Sequence, residues 1–288
     1  MPVGLSVYDT SAAELLELAV AADEAGFDAL WLGEHVVLPV DYTTEHPTDG
    51  EHEHAHITGP IVHPETELVD PLVVLAAVAG ATTHLRVATG IYLLPLRHPL
   101  LTARAAVTLQ EASSGRFLLG VGAGWLEEEF AAIGVPFGER RSRLDEAIDV
   151  LRAAWAGGPF EHHGPHFCFG RVQVSRRPVD VPLVLGGNGL AARRRAASIG
   201  DGWFASGTPD FDDAVGMVAE LRGHRPEPEF RCYVRVADAE PATIARYVDA
   251  GLHDVVVWAD QLWPPTGTVD EKRAAFLAAA ARLGLGSP

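Results

Sequence analysis

Residues 86–122 read RVATGIYLLPLRHPLLTARAAVTLQEASSGRFLLGVG. Positions 86–94 are a short apolar run rich in β-formers. Residues 99–112 repeat their apolar side chains at helical spacing behind a proline, and 117–122 are apolar again. A strand, an amphipathic crossover and a second strand make a βαβ unit, which builds a parallel sheet. Working outward, the same unit recurs along the chain. The spacing predicts strands at 3–8, 29–33, 86–94, 117–122, 183–187, 202–206, 231–236 and 254–259. Helical patterns follow at 11–25, 70–82, 99–112, 139–156, 190–199, 210–221, 241–250 and 269–283. Eight βα units in 288 residues close naturally into an α/β fold of the (β/α)₈ TIM-barrel class, with residues 1–288 as a single domain.

Local punctuation agrees. Ser11 with Glu14 has capping-box spacing, Asp70-Pro71 is a helix start, and Gly26, Gly200 and Gly251 sit where helices should end. An open doubly wound sheet is the alternative architecture, but nothing in the pattern suggests its strand-order reversal. Two segments break the rhythm. Residues 34–69 are too long and polar for an ordinary βα loop, so a lid over the barrel mouth is expected there. Residues 157–182 precede the fifth strand, where HFCFG and RVQV are expected to pair as a short hairpin insertion.

With 48% hydrophobic and 21% charged residues the chain can bury a large core, which excludes disorder, collagen and coiled coil. The 22 Lys and Arg against 39 Asp and Glu leave a net −17. Such a field repels phosphate backbones and anionic lipid heads, so neither nucleic acid nor membrane is an expected partner. Up to Leu96 there are fifteen acidic residues and one basic one, Arg86; an anionic ligand is therefore expected to be held by the later part of the chain. Cys168 and Cys232 are too few for a disulfide framework, and no export signal is legible, so a cytoplasmic location is expected.

In a (β/α)₈ barrel, chemistry gathers at the C-terminal ends of the strands. The second strand delivers Glu34 and His35, the third Gly90, Ile91 and Tyr92, and the fourth Gly122, Gly124 and Trp125. The fifth delivers Gly186, Gly187 and Asn188. An imidazole at a strand end suits proton transfer near neutrality, or caps the strand. Gly122 and Gly124 clear space for a flat ring or phosphate, or simply form tight turns. Gly186-Gly187-Asn188 opens a helix whose free N–H groups suit a phosphate, and Arg193-Arg194-Arg195 is the densest basic cluster in the chain. Trp125 has a face suited to a cofactor, whereas Trp31 is expected in the core. His46, His52, His54, His56 and His63 have ligand chemistry but lie in a loop without ligand spacing, so no metal site is expected.

The ordered series LPLRHP, GVGAGW, ERRSRLDE, GGN and GDGW resembles the luciferase-like monooxygenase family, and within it the coenzyme F420-dependent oxidoreductases. The resemblance runs through nearly the whole chain. It implies a barrel that binds a deazaflavin or flavin at its mouth, often as a homodimer, and acts on a small organic molecule. By that resemblance His35 matches the histidine beside the cofactor ring, Gly90-Ile91 matches the position backing the ring, and Gly186, Gly187 and Asn188 match the phosphate stretch, with Arg193 close by. The bond between Gly90 and Ile91 is expected to be cis, since such enzymes bulge the backbone there. One departure stands out: sugar-phosphate-oxidising relatives carry glutamate where Trp125 follows Gly124. That leaves Glu34 and His35 as the acid or base candidates. The expected function is F420-dependent hydride transfer; the alternatives are a reduced-FMN-dependent monooxygenase, or a cofactor-binding barrel without turnover.

Overall fold

Strands covered on both faces must be apolar along their whole length, and β1 (Val3–Val7), β2 (Ala29–Leu32) and β4 (Phe117–Val121) have every residue buried. The computed structural model describes residues 2–46, 63 and 65–286. The remaining barrel strands are β3 (Arg86–Thr89), β7 (Leu183–Gly186), β8 (Gly202–Phe204), β9 (Arg231–Arg235) and β10 (Asp254–Trp258). A separate antiparallel pair consists of β5 (Phe160–His163) and β6 (Cys168–Val172). The eight barrel strands are parallel and close in the order β1-β10-β9-β8-β7-β4-β3-β2. This is a (β/α)₈ TIM barrel.

The helices are α1 (Ala12–Ala25), α2 (Pro71–Ala81), α3 (Pro99–Ala112), α4 (Glu127–Ile133), α5 (Arg140–Trp155), α6 (Leu190–Ile199), α7 (Phe211–His224), α8 (Pro241–Asp249) and α9 (Val269–Arg282). The barrel interior is filled by Ala29, Trp31, Ala88, Leu118, Val184, Phe204, Tyr233 and Val256. Trp31 occupies the centre as expected of a core residue, with its ring centroid 4.5 Å from Phe204 and 4.4 Å from Tyr233. An indole fits there because its neighbours are small: side chains at Gly4, Gly90 or Gly120 would begin 3.2 to 3.5 Å from it.

Four details differ from the sequence expectations. β3 stops at Thr89, because the chain turns out of the ladder at Gly90 and residues Leu94–Leu96 form a 3₁₀ turn; only Tyr92 rejoins, bridging Val121. The hairpin before the fifth barrel strand exists, but CFG of HFCFG and the following RV lie on one strand. Its partner is Phe160–His163, folded back at Gly164-Pro165. Ser11 caps α1, yet Glu14 does not return the bond; its carboxylate takes the Trp263 indole N–H at 2.9 Å and the Lys272 ammonium. The reciprocal capping box is at the start of α9, between Thr268 and Glu271. Finally, α4 is an extra helix between the fourth strand and its crossover helix, too short to show a hydrophobic period.

Candidate active site

Glu34, just past β2, is buried with both carboxylate oxygens engaged. Oε2 accepts the Leu93 N–H at 2.7 Å and the Arg97 Nη1–H at 3.1 Å, while Oε1 pairs with Arg97 Nη2. Arg97 lies over the Tyr92 ring, 4.1 Å from its centroid. Burial raises the Glu34 carboxyl above the ordinary carboxylate range, and Arg97 opposes that. Burial also works against the guanidinium, but Glu34 and Tyr92 together offset it and hold Arg97 above its usual value. With both oxygens engaged by Leu93 and Arg97, Glu34 braces the loop between β3 and α3.

His35 is buried beside it, with Nδ1 2.9 Å from Glu129 Oε2. Glu129, on α4, also accepts the Val36 N–H at 2.5 Å and the Val37 N–H at 3.4 Å through Oε1. A carboxylate acceptor calls for a proton on Nδ1, and Nε2 has no partner among the described residues. Tyr8 and Trp125 set their ring centroids 6.1 and 5.8 Å from the imidazole, and His46 lies 4.7 Å from Trp125. Burial, then the Glu129 charge, raises the Tyr8 hydroxyl above its usual pKa, and that hydroxyl has no hydrogen-bond partner among the described residues. Next on α4, Glu128 accepts the N–H and hydroxyl of both Thr43 and Thr44, which pulls its pKa down to about 2. Two adjacent carboxylates thus hold residues 36–44 of the long segment after β2. His52, His54 and His56 lie outside the described residues; no group of three or more metal-ligating side chains occurs among the described ones.

The Gly90–Ile91 peptide bond is cis. Ile91 then fills the space over the next two strand ends: a side chain at Gly122 would start 2.6 Å from its Cδ1, and one at Gly186 2.8 Å from its Cγ2. Gly124 has φ +78°, and a Cβ there would meet Phe130 at 2.8 Å. These glycines are required by packing on protein atoms, Ile91 above all. Beneath Gly90 lies Arg235, the last residue of β9, whose guanidinium donates to the Gly90 carbonyl at 3.0 Å.

At the mouth of β7, Gly187 has φ +120° and Asn188 is locked to the loop after β8, donating to the Ser206 carbonyl at 2.9 Å and accepting its N–H at 2.8 Å. Gly189 caps α6 without a side-chain bond, so the first N–H groups of the helix have no side-chain acceptor. The arginine cluster is not a free basic patch. Arg193 is paired with Glu220 and Arg195 with Asp145, and only Arg194 is exposed. Asn188 and Arg193 border a groove of about 390 Å³ whose other polar lining is Asp212, Asp213 and Glu220.

Sequence reasoning placed Glu34, His35, Gly90, Ile91 and Trp125 at one end of the barrel, where the structure has them. It missed Glu129, Arg97, Tyr8 and Arg235. Only Arg235 carries a local signal, as a charge at an inward position of the apolar strand RCYVR.

The chain matches the model of the luciferase-like monooxygenase family over residues 2–283. An uncharacterised protein of Mycobacterium bovis is 30% identical over 247 residues, covering 84% of this chain and 83% of its own. The F420-dependent glucose-6-phosphate dehydrogenase of Nakamurella multipartita is 31% identical over 202 residues, 67% of this chain and 52% of that one. Among solved structures, a monooxygenase of Streptomyces bottropensis superposes with a TM-score of 0.74 at 21% identity, covering 98% of both chains, a likeness of fold. With the barrel, the strand-end geometry and a family match that spans nearly its whole length, this chain belongs to the luciferase-like monooxygenase family.

Proposed function

We propose that this chain is a coenzyme F420-dependent oxidoreductase that moves a hydride between the deazaflavin and a small organic substrate, with residues 1–288 acting as one unit. The observation that carries the reading is the buried His35–Glu129 pair at the strand end next to Gly90-Ile91: an imidazole with one nitrogen on a carboxylate and the other without a partner among the described residues. When bound, the deazaflavin supplies a ring carbon that gives or takes a hydride, and the protein supplies position and proton handling. Residues present fit such a group. Ile91 and Trp125 offer half-buried apolar surface for a flat ring, and the start of α6 at Asn188-Gly189-Leu190, which has no side-chain cap, offers backbone N–H groups to a phosphate. His35 Nε2 takes or returns the substrate proton, while Glu129 holds the ring and its tautomer. Glu34 acts by holding Arg97 and the loop at Leu93.

A second reading, a reduced-FMN-dependent monooxygenase, is favoured by the acidic lining beside Asn188. Asp212, Asp213 and Glu220 would oppose a poly-glutamyl tail more than a single phosphate. We further propose a homodimer paired through α2, whose solvent side carries Val73, Ala76 and Ala77 and no charged side chain.

Fluorescence titration of the chain with F420 and with FMN separates the two cofactors; tighter F420 binding is expected, and tighter FMN binding would favour the second reading. His35→Ala should lower turnover roughly 10²-fold while cofactor affinity stays within a few-fold. Equal loss of both would make His35 an anchoring residue. Binding without turnover across a broad substrate panel would mark a barrel that has kept its cofactor and lost its reaction.

A further inference from the structure

Every other buried Asp, Glu, Lys, Arg or His in the described residues has a partner of opposite charge or an imidazole–carboxylate pairing: Glu34 with Arg97, Glu129 with His35, Glu146 with His162, Asp254 with Arg231, and Lys272 with Glu14. Arg235 does not. It is 6% exposed, at the C-terminal end of β9 inside the barrel. Its hydrogen bonds run to neutral oxygens: Nε to Ser6 Oγ at 2.8 Å, Nη1 to the carbonyls of Ala205 at 3.2 Å and Gly207 at 3.5 Å, and Nη2 to the carbonyl of Gly90 at 3.0 Å. The rings of Phe204 and Trp258 flank it, with centroids 4.4 and 4.7 Å from Cζ. Burial alone pulls its pKa down to about 9, which still leaves it charged at neutrality.

A buried cation without an anion is costly, and among the described residues only dipoles and ring faces offset it. Its position explains why such a charge is kept. The guanidinium ties together three strand ends that border the mouth: Ser6 of β1, Gly90 after β3, and Ala205 to Gly207 after β8. The Gly90 carbonyl it holds belongs to the segment against which the ring is proposed to sit. A hydride passed to a bound ring would add one hydrogen and one negative charge to it, while the substrate carbon is oxidised by two electrons and the substrate's proton goes to His35. A fixed positive charge behind that segment would favour the ring that carries the added negative charge over the oxidised ring.

We propose that Arg235 is a positioning residue for the cofactor, fixing the Gly90 carbonyl against the loop after β8 and supplying the buried positive charge that favours the reduced, anionic ring. This rests on the reading that a deazaflavin or flavin ring sits at Gly90-Ile91.

The test uses the full chain, wild type and as Arg235→Gln, which keeps donors without charge, and Arg235→Lys, which keeps charge without the fork. The readout is the ratio of dissociation constants for oxidised and chemically reduced F420, and likewise for FMN, measured by fluorescence and absorbance without substrate. Wild type should bind the reduced ring about tenfold or more tighter than the oxidised ring, the size expected for one unit charge at an effective dielectric of about 20. Arg235→Gln should erase that preference, and Arg235→Lys should keep most of it. A wild-type ratio near one overturns the proposal without any variant having to fold, as does an Arg235→Gln protein that weakens both forms equally. If wild type binds neither cofactor in either state, the cofactor reading itself fails and the proposal falls with it. Binding with an unmoved ratio removes the role of Arg235 alone.

Discussion

Replacing Glu129 separates what holds the site from what reacts in it. In Glu129→Ala two donors lose their acceptor, the half-buried Val36 N–H at 2.5 Å and the buried His35 Nδ1 at 2.9 Å; the 3.4 Å contact to Val37 adds little. An unsatisfied buried donor costs about 1–3 kcal/mol, and release of a buried carboxylate offsets part of the loss, so about 3 kcal/mol is expected. Over 288 residues the unfolding entropy is about 0.6 kcal/mol/K, so the melting temperature should fall by about 5 °C. Glu129→Gln behaves differently. Its amide oxygen can still accept from Val36, but the amide nitrogen now meets His35 Nδ1, which must become an acceptor, and the imidazole proton moves to Nε2. Stability should drop by only about 1 kcal/mol, yet Nε2 has been turned from acceptor to donor, so turnover should fall roughly 10²-fold. Thermal unfolding followed by circular dichroism gives the first quantity, steady-state kinetics with the bound cofactor the second, and ¹⁵N chemical shifts of His35 report the tautomer. A Glu129→Ala protein melting within 1 °C of wild type, or a Glu129→Gln protein with unchanged turnover and an altered tautomer, would refute the reasoning.

Two further outcomes follow from the packing and charges at the mouth. Gly122→Ala places a Cβ 2.6 Å from Ile91 Cδ1 and should cost about 1–3 kcal/mol; adding Ile91→Val, which removes that methyl, should recover most of it, and a double mutant as unstable as the sum of the singles would rule out Ile91 as the cause. The Glu128 carboxyl titrates near 2 in the folded chain because four donors from Thr43 and Thr44 hold its charged form, so its contribution is complete above its unfolded value near 4.5 and disappears as pH falls toward 2. Hydrogen-exchange protection of the Thr43 and Thr44 amides should therefore fall over that window and be weak at all pH values in Glu128→Ala; protection that ignores both would show that the segment is held by something else.

The barrel was legible in the sequence because its signals are local. A strand covered on both faces is an apolar run, a crossover helix repeats every three to four residues, and caps such as Asp70 and Gly26 lie within one turn of what they cap. Those patterns located all eight barrel strands, and strand order in a closed parallel barrel then brought Glu34, His35, Gly90 and Trp125 to one end. The same locality hid what engages them. His35 meets Glu129 94 residues later, Arg235 reaches the Gly90 carbonyl across 145 residues, and the glycines at 122 and 186 are required by a side chain at 91. Arg193 looked like a free cation because Glu220, its partner, belongs to the next helix. Periodicity encodes which face of an element is buried. Which distant residue shares that burial is decided only when the barrel closes, since the pairing depends on strand tilt, register and side-chain direction in three dimensions, none of which leaves a mark on neighbouring residues.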